Sequence, residues 1–283
     1  MKSKRGIFHL DSNININNKF NQSNSFNNYN PKRAQVTIFV ILGLLIISII
    51  LIYLFWLKPT YIDTSGTELN FESCVKKAVQ DKIEILGEQG GFEEPNFFYE
   101  YKGNKVGYLC YTNLYYESCI VQKPFLKQHF EEQLKKSVEN DVYNCYDSSI
   151  DELKKLGYSV TQGDKDLKIS LIPGKVNVLL EAPLVLDKES SSKISEFNIK
   201  IDSDIYSILM VATSIIEYET TYGDSEITTY MSSYPNLIID KFKQGDGTTI
   251  YIIQDKELKT KFHFASRSYA WPAGYGSDSG LLR

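Results

Sequence analysis

The chain has 283 residues, of which 31 are Lys or Arg and 35 are Asp or Glu, giving a formal net charge of −4. The charge is polarised: residues 1–34 hold six basic side chains against Asp11 alone, which leaves 25 basic and 34 acidic residues beyond them. So acidic a body is repelled by phosphates, and nucleic acid is excluded as a partner.

Residues 1–34 read as a disordered, Asn-rich cytoplasmic leader. Nine of the 18 residues from Asn13 to Asn30 are Asn, and such a low-complexity tract buries too little apolar surface to offset its ordering entropy. Residues 35–58 read as a single N-terminal transmembrane helix. From Val36 to Leu57 there are 22 residues without a charge, about 33 Å of helix against a hydrocarbon core of roughly 30 Å. The basic flank then places the N-terminus in the cytoplasm and the remainder outside the cell membrane. Lys58-Pro59 ends the helix, because proline disfavours the helical region for the residue before it. Residues 59–67 read as a Thr/Ser/Gly linker.

An ectodomain of roughly 215 residues follows. Its expected fold class is α+β, an antiparallel sheet with several helices stapled by disulfides. Residues 68–157 form its helix-rich, cysteine-bearing part and residues 158–283 its strand-rich part. A helix is predicted from Phe71 to Leu86, capped by Asn70 and closed by Gly87 at C′. The stretch from Phe92 to Tyr116, in which nine of 25 residues are Phe or Tyr, is strand-like. A second helix runs from Pro124 towards Asn144 on the stripe Leu126, Phe130, Leu134, Val138, Val142 and Cys145, and a short third one from Ile150 to Leu156 with Ser149 as cap. "DLKISLI", Pro173-Gly174 and "KVNVLLEAPLVL" form a hairpin, with "SEFNIKI" as a third strand. A helix from Asp204 to about Glu217, capped by Ser203, buries Ile205, Ile208, Leu209, Ala212, Ile215 and Ile216. "TTIYIIQDKELKTKFHFAS" forms a second hairpin turning at Asp255-Lys256, and the Gly/Ser-rich tail is loose.

All four cysteines lie beyond the apolar run, at Cys74, Cys110, Cys119 and Cys145. An even number on the oxidising side reads as two disulfides, with three connectivities open. A turn near Leu114 would set Cys110 opposite Cys119, which favours Cys74–Cys145 for the other pair. No close CxxC pair accompanies the few histidines, so no metal site is expected, nor any cofactor.

No catalytic chemistry is legible. Gly-x-Ser-x-Gly is absent, Ser266 and Ser268 near His263 read as ordinary strand residues, and Glu93-Glu94 and Glu131-Glu132 read as solvated faces. "QGDGTT" at 244–249 reads as a hairpin turn. The aromatic segment, with Tyr99, Tyr101 and Tyr111, can offer a platform for a sugar or a protein partner.

"KRAQVTIFVILGLL" resembles the class III signal peptides of archaeal type IV pilin-like proteins. The resemblance implies that Lys32, Arg33 and Ala34 are the recognition segment of a prepilin peptidase and that the mature chain starts at Gln35. The "C…GEQGGF" arrangement after Cys74 also looks like membrane-anchored archaeal proteins of this type. The sequence therefore leads to a pilin-like, signal-anchored cell-surface protein. Its ectodomain would be non-catalytic, acting in adhesion, assembly or envelope structure, with membrane lipid and other pilin-like or envelope proteins as partners. The alternative is an extracytoplasmic ligand- or sugar-binding module on a membrane tether.

Overall fold

The computed structural model describes residues 31–56 and 65–272, with side chains from 39–52 and 70–272. The leader over residues 1–30, the start of the linker and the tail from residue 273 lie outside the described residues. The chain divides into two compact units, with the boundary in the sequence after Ile62.

The first unit holds α1 (Pro31–Trp56). The expected transmembrane helix falls here and is corrected by the structure: among the described residues no helix is long and apolar enough to cross a membrane. Side chains are described from Phe39 to Ile52. Within that segment the Ile and Leu side chains are 51–62% exposed on every side of the helix.

The second unit is α+β, built from helices enclosed by two sheets. α2 (Ser65–Glu88) and α3 (Leu126–Lys155) pack on each other and are joined by the Cys74–Cys145 disulfide. α2 buries Phe71, Val75, Val79, Ile83 and Leu86, the 4-4-4-3 spacing of one helix face. It starts six residues ahead of Phe71, so Asn70 is no cap; its amide reaches Glu152 at 3.5 Å. α3 continues its stripe past Cys145 through Tyr146, Ile150 and Leu153, so the expected third helix is its last turns. Ser149 accordingly donates to the Cys145 carbonyl at 3.0 Å rather than capping a helix start.

The first sheet has the order β1 (Phe98–Tyr101), β2 (Asn104–Tyr111), β10 (Lys261–Arg267), β9 (Thr248–Asp255), β8 (Leu237–Lys243), with β3 (Ile120–Val121) also on β2. Here the expected antiparallel sheet is corrected, because β2 and β10 are parallel and the sheet is mixed. Hairpin signals are local, whereas a parallel pair needs a long crossover and leaves no turn to read. β2 and β3 pair antiparallel with Cys110 opposite Val121, and the second disulfide joins Cys110 to Cys119.

The second sheet is built on β6 (Lys175–Asp187), with β7 (Ser191–Asp202) along one edge. The other edge is shared by β5 (Asp166–Ile172) and β4 (Ser159–Gln162). β5 and β6 meet at Ile172 and Lys175 across Pro173-Gly174, where Gly174 takes the positive φ of 74° that the two-residue turn requires. Every even-numbered β6 residue from Val176 to Leu186 is buried and no odd-numbered one is, so one face of the sheet turns to the core, and β5 and β4 carry its contacts with α3.

α4 (Ile205–Tyr222) and α5 (Ile227–Ser233) complete the unit. α4 packs against β2, β3, β9 and β10 and touches β5 and α3. Ser203 serves its start through its hydroxyl, which accepts from the Ile205 amide at 3.4 Å. Gly87 was expected after the end of α2 but lies inside it. A Cβ there would stand 2.2 Å from the Lys261 carbonyl oxygen, so its place is dictated by the backbone-to-backbone approach of α2 and β10.

Candidate functional site

A cleft of about 780 Å³ is formed by the segment after α2, strand β2, the loop before α3 and the first half of α3. The chain is turned there by Gln89 and Gly91, whose amides both donate to the Leu86 carbonyl, at 3.2 and 2.8 Å. The following loop is pinned to β2 by Tyr108 N–H on the Phe97 carbonyl at 3.2 Å. It is pinned to α3 by Glu93 N–H on Gln133 Oε1 at 3.3 Å.

Two aromatic pairs set the cleft walls. Phe97 stacks on Tyr108 with ring centroids 4.6 Å apart and stands edge-on to Tyr111, also at 4.6 Å. Tyr108 is fixed from behind by its hydroxyl contact with Thr248 Oγ1 at 2.8 Å. Phe92 lies 4.7 Å from the His129 ring, and the Lys123 ammonium stands 5.3 Å from the Phe92 centroid. Such offset and edge-on contacts hold rings rigidly. Phe97 stays 45% exposed, so its free face is open to a ligand.

Polar groups complete the lining: Glu93, Glu94, Asn96, Gln122, Gln133 and Lys136. His129 also lines it, with Nε2 buried and without a hydrogen-bond partner among the described residues. Burial and the neighbouring Lys123 charge push its pKa down to about 4, so the imidazole is neutral at neutral pH. A neutral imidazole, amides, carboxylates and ammonium groups beside aromatic faces can hydrogen-bond and stack a polar ligand. The lining holds no serine, threonine or cysteine to serve as a nucleophile beside His129.

The expected platform residues Tyr99, Tyr101 and Tyr111 are half-buried on the outer face of the first sheet, around a small cluster of Val106, Tyr108, Ile250 and Ala265. Tyr111 joins the cleft through Phe97, whereas Tyr101 faces Phe242 at 5.9 Å instead. Lys32, Arg33, Ala34 and Gln35 fall in the first turns of α1, where no side chains are described.

Ser266 and His263, three residues apart on β10, point to opposite faces of the sheet. Ser266 donates to Glu219 on α4, and so does the Tyr251 hydroxyl. Ser268 donates to the Glu219 carbonyl at 3.0 Å and accepts from the Cys119 amide at 3.0 Å. Glu219 is 2% exposed, and burial raises its pKa against the opposing effect of these hydrogen bonds. This buried carboxylate was missed, although it continues the α4 stripe four residues after Ile215. His263 has a buried Nε2 without a hydrogen-bond partner among the described residues, and burial with Lys261 and Lys102 pushes its pKa down to about 4. Glu131, read as part of a solvated pair, instead accepts from the Leu171 amide at 2.6 Å and ties α3 to β5. Among the described residues no group of His, Cys, Asp and Glu is placed to hold a metal ion.

No protein-family model, no curated protein and no solved structure matches this chain.

Proposed function

We propose that the chain is a non-catalytic, extracytoplasmic surface module that works by binding, and that the aromatic cleft takes a neutral sugar. The observation that carries this reading is the cleft itself, in which the exposed face of Phe97 stands beside the amides of Asn96, Gln122 and Gln133. Sugars present apolar C–H faces that stack on rings and hydroxyls that pair with amides and carboxylates. Two disulfides support an oxidising compartment as the place of folding. The test is a panel of neutral and charged oligosaccharides offered to the full chain with its disulfides intact. The reading expects a neutral binder that Gln133→Ala weakens. A panel without any binder sinks it.

A second reading, assembly with other pilin-like or envelope proteins, is favoured by α1, whose Phe39, Val40 and Ile and Leu side chains as far as Ile52 are exposed all round. A helix of that kind is covered in its working state. In this reading a prepilin peptidase trims the leader before Gln35 and the helix then packs against other copies. N-terminal sequencing of the native protein, with light scattering of the full chain, tests it. An intact Met1 and a monomer remove it.

A further inference from the structure

A second cavity, of about 320 Å³, opens between the start of α2, the later half of α3 and strands β6 and β7, and it shares no lining residue with the aromatic cleft. Its walls include Phe71, Ile150, Leu153, Leu184, Leu186 and Ile199, all apolar and buried. Tyr146 also lines it, with its ring 6.2 Å from Phe71 and 5.7 Å from Phe197. Tyr146 is 2% exposed, yet its hydroxyl has no hydrogen-bond partner among the described residues. The other hydroxyl in the lining, on Ser149, donates to the Cys145 carbonyl at 3.0 Å.

Buried hydroxyls in folded proteins are overwhelmingly partnered. An apolar cavity with one orphaned hydroxyl in its wall therefore matches a ligand that is apolar in its body and carries one polar atom. The lining also includes the carboxylates Glu72 and Glu196; Lys76 pairs with the first at 2.6 Å. Residual negative charge at the mouth disfavours an anionic head group. Size sets the length of the body. A cavity of about 150 Å³ holds benzene, so this one holds about a dozen carbon atoms.

We propose that this cavity binds an uncharged amphiphile of about ten to twelve carbons, whose single hydroxyl or carbonyl group pairs with the Tyr146 hydroxyl. The test titrates the full chain with decanol and then photolabels it with a diazirine-bearing decanol, mapping labelled peptides by mass spectrometry. Binding is saturable, and label falls on the peptides holding Tyr146 to Leu153 and Ile194 to Ile199. Tyr146→Phe removes the paired hydroxyl and weakens binding about tenfold. Ile194→Trp fills the cavity from a half-buried wall position and abolishes it. Label concentrated on residues 39–52 or in the aromatic cleft overturns the proposal, as does the absence of saturable labelling. Unchanged affinity in Tyr146→Phe overturns it too. The Cys74–Cys145 linkage, recovered by non-reducing peptide mapping, shows that each variant has folded.

Discussion

Gly87→Ala tests the packing of the helices on the first sheet. The added Cβ would stand 2.2 Å from the Lys261 carbonyl oxygen, whereas the closest ordinary carbon-to-oxygen contacts are about 3.3 Å. Helix α2 and strand β10 must therefore part by about 1 Å, and both contacting groups are backbone that cannot swing aside. The separation loosens Ile83 and Leu86 from Phe262 and Phe264, which share one buried cluster. Overpacking of a tight core costs about 1–3 kcal/mol, and a clash between two backbones belongs at the upper end. Against it stands the better helix propensity of alanine, about 1 kcal/mol. The net expectation is a loss of about 2 kcal/mol, read as a lowered urea midpoint at unchanged slope with disulfides intact. A variant as stable as the parent, or more stable by the propensity gain, would refute the close approach.

The pH dependence is worked from the buried titratable groups. His129 and His263 have folded pKa values near 4 against the ordinary imidazole value of about 6.5, so their contribution is complete above 6.5 and is lost as pH falls towards 4. Urea midpoints at pH 7 and pH 5 should fall accordingly, and His263→Gln should flatten the slope; an unchanged slope would count against its burial. Glu219 has the opposite sign: its raised folded pKa makes the stability fully present below the ordinary glutamate value of about 4.5 and lost as pH rises through the folded value. Glu219→Gln should therefore gain on the parent as pH rises from 4 to 8, while a difference constant with pH would contradict the assignment. The Cys74–Cys145 disulfide spans 71 residues and the Cys110–Cys119 disulfide 9, which in the chain-entropy model gives about 4 and about 2.6 kcal/mol. Paired Cys→Ser variants should lose stability in that order, and the reverse order in urea would refute the entropic account.

Much of the second unit is legible because its signals are local. The α3 stripe runs at helical spacing from Leu126 to Leu153, and Pro173-Gly174 marks the β5–β6 turn between two strongly apolar strands. The break expected between Asn144 and Ile150, with Ser149 capping a new helix, failed because a serine can bond back to its own helix, as Ser149 does to Cys145. β8 went unread because only Leu237 and Ile239 alternate in it before the strand faces water. The β2–β10 pairing joins the early and last strands of the unit and carries no sequence mark. Of the aromatic cleft, the Phe and Tyr residues stood out by their density. His129, Gln133 and Lys136 did not, since helical periodicity reports only the buried face of α3 and they lie off it.

The account's central claim is that the aromatic cleft binds, and one calorimetric titration tests it most directly. The neutral oligosaccharide selected by the panel is titrated into the full chain and into Phe97→Ala, which removes the open ring while leaving the Tyr108 to Thr248 contact behind it. A lost stacking contact of about 1.4 kcal/mol predicts affinity about tenfold weaker in the variant, with its urea midpoint close to that of the parent. Equal affinities for the two proteins would contradict the claim and place binding elsewhere on the molecule.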